Sequence, residues 1–238
     1  MIITDALLTP NKYSRRQIPN FPKKIVIHYV GNPGSSAMGN RNYFEGLKTG
    51  KLQTDGTYRF ASSQYIIDLD GKIIRCIPEN EEAIHASDGI LNASSIGIEN
   101  CHPDWTGKFT DATTASLIEL CADICKRYKL NPLTDIIRHY DVPKAKKKDC
   151  PRWFVSHPED FLKLKQAIAF KLVPSLTPEQ IKQKRISETI SGLINAKRKD
   201  GITSVTDSPE SWRTALTGGV PINPDNLTIL LRRILKLE

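Results

Sequence analysis

The 238-residue sequence predicts an α/β fold, a mixed central β-sheet flanked by helices, followed by a small all-helical unit. Three observations point there. Short runs of β-branched residues alternate with longer stretches of helical spacing through residues 1–173, the pattern of strands and helices interleaved in one domain. From residue 174 the strand pattern stops, and capping pairs with helical spacing take over. The composition, 39% hydrophobic and 25% charged, is that of a globular chain and sets aside disordered, collagen-like and disulfide-framework classes. No apolar run reaches the roughly 18 residues that a membrane-crossing helix needs.

In chain order, residues 23–30 (KKIVIHYV) form the first strong strand signal, entered from Pro22 and ended by Gly31-Asn32-Pro33-Gly34. His28 lies near its end. Residues 64–77 hold two apolar runs, YIIDL and KIIRCI, joined by Asp70-Gly71, a hairpin signal because the tight turn requires positive φ. SIGIEN (95–100) reads as another strand. Thr110 is placed to cap a helix reaching about Lys129, in which Leu117, Leu120, Cys121, Ile124 and Tyr128 recur at helical spacing. Residues 136–138 read as a short strand, and Pro158 opens a helix to about Leu172. In the tail, Thr177-Pro178, Ser208-Pro209 and Asn223-Pro224 each set a capping side chain before a first-turn proline, predicting three short helices around residues such as Leu193, Trp212 and Leu230. The domains expected are therefore 1–173 and 174–238, the second of marginal size for folding alone.

Lys and Arg exceed Asp and Glu by 34 to 26, a net charge of +8 that favours an anionic partner. The excess is spread along the chain; in its one dense run, Lys144 with Lys146 to Lys148, the residues Lys144 to Lys147 read mainly as a solvated loop and Lys148 is taken separately. Residues 1–13 lack the basic start and cleavage site of a Sec signal. Five cysteines, an odd number, then argue for free thiols or a metal ligand. Cys121 and Cys125 fall on the apolar helix face, and Cys76 and Cys101 adjoin strand runs, so all four are expected to pack as small hydrophobes. Cys150, in KKDCP, differs. It joins His28 and His139 (IIRHYDV) as groups at or just beyond strand ends. Zinc accepts imidazole nitrogen and thiolate, and a catalytic zinc takes three protein ligands and leaves a place for water. Spacing alone is a weak signal, since the chain has no CxxC or HExxH pair.

Four ordered strings, VIHYVGNPGSSAMGNRNYF, YIIDLDGKIIRCIPENEEAIHA, SIGIEN and RHYDVPKAKKKDCP, together resemble the zinc-dependent N-acetylmuramoyl-L-alanine amidases of the phage-lysozyme and peptidoglycan-recognition type, especially prophage endolysins of Gram-positive hosts. The resemblance spans residues 23–154. It implies His28, His139 and Cys150 as ligands of Zn2+, Glu99 as the acidic residue beside the attacking water, Lys148 as the cation that stabilises the oxyanion, and His85 as a substrate-binding histidine. Two departures stand out. The stretch VPKAKKKD is longer and more basic than in relatives, leaving Lys146 or Lys147 as alternatives to Lys148, and Gln64 stands where some relatives have histidine.

The expected substrate is peptidoglycan, cleaved between N-acetylmuramic acid and L-alanine, with anionic wall polymers as a further partner for the positive charge. Synthesis in a host cytoplasm and action at the wall follow from the resemblance, without stable membrane insertion. The tail, with SPESW at 208–212, resembles helical tails of some clostridial amidases and is expected to target the wall or to oligomerise. A non-catalytic peptidoglycan-binding protein is the competing reading, although a binder has no need of a thiolate ligand. A nucleic-acid binder would interleave basic and aromatic residues, whereas aromatics are 7% of the chain and scattered.

Overall fold

Six short strands make one sheet in the computed structural model, which describes residues 1–172. The expected boundary at residue 173, the helical unit over 174–238 and SPESW lie outside the described residues. The strands are β1 (Ile3–Asp5), β2 (Lys24–Ile27), β3 (Tyr65–Ile67), β4 (Ile73–Arg75), β5 (Ser95–Asn100) and β6 (Ile136–Arg138). Their spatial order is β1-β4-β3-β5-β2-β6. The hairpin pair β3 and β4 is antiparallel and every other pair is parallel. The sheet is mixed, as the alternation of patterns requires.

The helices are α1 (Ala37–Gly46), α2 (Gly89–Asn92), α3 (Asp111–Tyr128), α4 (Pro132–Asp135), α5 (Arg152–Ser156) and α6 (Pro158–Leu172). Parallel strands covered on both faces need apolar residues at consecutive positions. This is why Ile25, Val26 and Ile27 of β2 and Ile96 and Ile98 of β5 are all buried. On one face, Leu117, Leu120 and Ile124 of α3 and Phe161, Leu164 and Ile168 of α6 share a core with Ile25, Ile27 and Ile98. On the other, Leu8, Phe44 and Leu47 pack with Ile66, Ile74 and Cys76. Cys76, Cys101, Cys121 and Cys125 are buried free thiols.

Local chemistry sets the ends. The Thr110 hydroxyl accepts the Thr113 N–H at 3.0 Å to start α3, and Lys129 closes it in the left-handed conformation. In the β3–β4 turn Gly71 has φ +82°, and a Cβ there would lie 2.8 Å from the Ala112 carbonyl oxygen, so the turn and the approach of α3 both demand glycine.

The sequence reading misses β1, α1 and the short helices α2, α4 and α5. β1 lies at the sheet edge, where Arg75 donates from Nε to Asp5 at 2.7 Å. α1 is mostly polar, burying Ala37 and Phe44, and is started by the Ser36 hydroxyl accepting the Gly39 N–H. β2 stops at Ile27 rather than residue 30, yet the N–H groups of His28 and Val30 continue along β5, donating to Ile98 and Asn100 carbonyls.

Candidate active site

Register brings the chemistry together. Ile27 of β2 sits beside Ile98 of β5 and beside Arg138 of β6. The next residue on each strand is therefore His28, Glu99 and His139, three side chains at the carboxyl ends of adjacent parallel strands, where α/β sheets bind ligands. Cys150 is returned to them by two 3₁₀ turns, His139–Asp141 and Pro143–Ala145. The Tyr140 N–H then donates to the Cys150 carbonyl at 2.8 Å and the Cys150 N–H to the Lys148 carbonyl at 2.7 Å. His28, His139 and Cys150 are all buried, and one ligand atom from each lies within 4.8 Å of the others.

Hydrogen bonds behind these residues fix which nitrogen is available. The Ser95 hydroxyl donates to the Leu91 carbonyl at 2.5 Å, so its oxygen is left to accept from Nε2 of His85 at 3.3 Å. That assigns the His85 proton to Nε2 and leaves Nδ1 to accept from Nε2 of His28 at 3.0 Å. His28 is thereby left with a bare Nδ1, which lies 3.7 Å from the Cys150 Sγ. A tetrahedral metal with bonds of about 2.0 to 2.3 Å sets neighbouring ligand atoms roughly 3.5 Å apart, so this pair has the right span. In His139, Nε2 faces the Ser87 hydroxyl at 3.2 Å, and Nδ1 is buried with no partner. Two bare imidazole nitrogens and a thiol, converging in the interior, make a donor set that fits a metal ion.

Electrostatics agree with that reading. Burial drives His28 far below the ordinary histidine range, with the neighbouring His85, His139 and Lys148 adding to the effect. Burial likewise lowers His85 to about 3 and His139 to about 4, with His139 contributing to the first and Lys148 to the second. The imidazoles are held neutral, the form that binds metals. Burial and the nearby Glu99 push the Cys150 thiol up, against a smaller pull from Lys148. A bound dication is the charge that would reverse this.

The cluster opens into a cleft of about 330 Å³. Glu99 lines it with Oε2 buried and unpartnered, and burial raises its carboxyl to about 8, opposed by Lys148. Lys148 also lines the cleft. Of its neighbours, Lys144 donates to Asp88 at 3.1 Å, the Lys147 ammonium lies over the Tyr140 ring, and Lys146 is not among the cleft-lining residues. His85 contributes to the cleft wall, but both ring nitrogens face protein partners, which places it behind His28. Its position depends on Gly97 of β5, where a Cβ would lie 2.6 Å from the His85 ring. Gln64 is structural, its Oε1 accepting the Gly97 N–H at 2.8 Å and its amide donating to the Glu81 carbonyl. The sequence reading missed Ser87 and Ser95, whose roles lie in hydrogen bonds to ring nitrogens that no linear pattern signals.

Residues 18–153, more than half of the chain, match the family model described as N-acetylmuramoyl-L-alanine amidase. The chain belongs to that family. Among curated relatives, this chain is 30% identical over 190 residues to N-acetylmuramoyl-L-alanine amidase BlyA of Bacillus subtilis, a match covering 72% of this chain and 48% of BlyA. It is 32% identical over 189 residues to N-acetylmuramoyl-L-alanine amidase CwlL of Bacillus licheniformis, covering 75% of this chain and 47% of the relative. It thus spans about half the length of these relatives. Solved structures share the fold: a mutant endolysin from Bacillus subtilis (TM-score 0.55, 24% identity, 70% of this chain and 98% of that one) and the PlyG catalytic domain (TM-score 0.57, 20% identity, 75% and 99%).

Proposed function

We propose that this amidase hydrolyses the bond between the lactyl carbonyl of N-acetylmuramic acid and L-alanine in peptidoglycan, using Zn2+ held by His28, His139 and Cys150. The observation that carries the reading is the convergence of those three donors with Glu99 and Lys148 in one cleft, inside the segment that matches the family. Zinc, when bound, supplies a water of lowered pKa and a Lewis acid for the carbonyl oxygen.

The protein's own groups do the rest. Glu99, half-buried and of raised proton affinity, takes the proton of the attacking water and delivers it to the leaving alanine nitrogen, the two halves of general base and general acid catalysis. Lys148 faces the same cleft, and its fixed cation stabilises the oxyanion as the carbonyl becomes tetrahedral. His85 and Ser95 hold the His28 ring so that Nδ1 stays bare. The cell wall is the site of action, and anionic wall polymers are a further partner for the net positive charge. Among the described residues no helix is long and apolar enough to cross a membrane.

The test pairs Glu99→Gln with Lys148→Met. The first is expected to lower kcat by about 100- to 10,000-fold and the second by about 100- to 1,000-fold, both with native metal content and wall binding. Glu99→Gln retaining more than about a third of native kcat would remove Glu99 from the mechanism.

A further inference from the structure

One cationic group in the cleft is not used by the chemistry above. The described residues include eight arginines, and seven of them form ion pairs with carboxylates: Arg15 with Glu81, Arg16 with Glu82, Arg41 with Glu45, Arg75 with Asp5, Arg127 with Glu79, Arg138 with Asp141 and Arg152 with Asp149. Arg59 is the exception. Its guanidinium has no carboxylate partner and no side-chain hydrogen bond among the described residues, it is exposed, and it lines the cleft that holds the donor cluster. The acidic groups of that cleft are otherwise placed, since Glu99 has its Oε2 buried and Asp149 is paired with Arg152 at 2.9 Å.

The backbone carrying Arg59 is well held. Residues 51–59 form a small hairpin in which Leu52 bridges Tyr58, the Arg59 N–H donates to the Lys51 carbonyl at 2.8 Å, and the Gln53 and Thr57 backbones close the turn. Tyr58 and Phe60 on either side of Arg59 both pack on the Tyr13 ring, with centroids 5.3 Å away in each case. Phe60 and Tyr43, both partly exposed, line the cleft with Arg59. A guanidinium is thus presented to the cleft from an anchored hairpin, without a carboxylate partner among the described residues. Such a fork matches a carboxylate.

We infer that Arg59 is a specificity residue that binds a carboxylate on the leaving peptide of the substrate. The inference rests on the amidase reading and deepens it. The side of the substrate follows from its chemistry. The carboxyl of muramic acid is consumed in the scissile amide and the sugar is otherwise neutral, so negative charge near that bond lies on the peptide. The nearest is the free α-carboxylate of the second peptide residue, a γ-linked D-glutamate, which amidation converts to a neutral amide of the same size.

Two synthetic muramyl pentapeptides test this, one with the second-residue α-carboxylate and one with the α-amide, the C-terminal carboxyl being amidated in both. The native enzyme should favour the carboxylate in kcat/KM by about tenfold, chiefly through KM, as expected for a charge-assisted hydrogen bond partly exposed to water. Arg59→Gln should abolish the preference while leaving turnover of the α-amide near native, and Arg59→Lys should restore part of it. Equal loss on both substrates in Arg59→Gln, or a native enzyme indifferent to the carboxylate, would overturn the inference. Calorimetric binding of the same two compounds to Glu99→Gln protein, with and without Arg59→Gln, reads the subsite with turnover suppressed. Discrimination there beside an inactive native protein would therefore contradict the amidase reading and leave the subsite standing.

Discussion

His85 affects the cleft through His28. The proton on its Nε2 is fixed by Ser95, its Nδ1 receives the His28 proton, and the bare Nδ1 of His28 is the result. His85→Ala is therefore expected to weaken metal binding by about 10- to 100-fold, measured by competition with a chromogenic chelator, with KM for the wall little changed. A raised KM with unchanged metal affinity would instead support the substrate-binding role expected from the sequence. At this scale the sequence was legible in part. The types and order of His28, Glu99, His139, Lys148 and Cys150 singled them out once the four strings were read together, whereas spacing alone could not. Arg59 and Ser95 gave no signal, because the first matters only for lacking a partner in space and the second only for the tautomer it imposes.

Within β5, Gly97 shows why SIGIEN includes a glycine where a strand ordinarily gains from a side chain. The His85 ring occupies the place of a Cβ at 2.6 Å. Gly97→Ala should therefore push His85 off His28 and lower metal affinity with the sheet intact, seen as a drop in bound metal against an unchanged far-ultraviolet circular dichroism spectrum. Native metal affinity in Gly97→Ala would show that the ring can shift without cost to His28. The strands that carry the site were readable because β2, buried on both faces, carries consecutive apolar residues and β5 sets Ile96 and Ile98 in alternation. The hairpin was readable from Asp70-Gly71, and α3 from the cap at Thr110. β1 was not, being three residues at an edge with no apolar alternation, and neither was α1, whose sequence is too polar to show a helical stripe. Both are specified by tertiary partners: Arg75 for β1, and for α1 the Asp68 carboxylate, which accepts the Ala37 N–H at 2.9 Å.

Over the whole molecule, the buried neutral histidines tie stability to pH. His85 and His139 lie at about 3 and about 4 in the folded protein against 6.5 unperturbed, because burial, together with neighbouring charges, disfavours the charged form, and His28 is lowered as well. A depressed pKa in a base means that the folded state binds fewer protons than the unfolded one. Their contribution is therefore fully present above about pH 6.5 and is lost as pH falls toward the folded values. At pH 5 His85 and His139 each cost about 2 kcal/mol relative to pH 7.5. The raised Glu99 carboxyl, at about 8, acts in the opposite direction over the same interval, so urea denaturation of metal-free Glu99→Gln protein at the two pH values should show the histidine loss, and equal stability at both would mean that the rings titrate in the folded state as they do in the unfolded one.

The central claim is that His28, His139 and Cys150 hold a metal that cleaves an amide and not a glycosidic bond. The most direct measurement is product chemistry on purified Gram-positive peptidoglycan, with native, chelator-treated and Cys150→Ser protein, scoring new L-alanine amino groups and new reducing sugars. The account predicts amino groups without reducing ends from the native protein, and none from the other two. Wall binding by fully metal-loaded native protein with no amino groups released would contradict it.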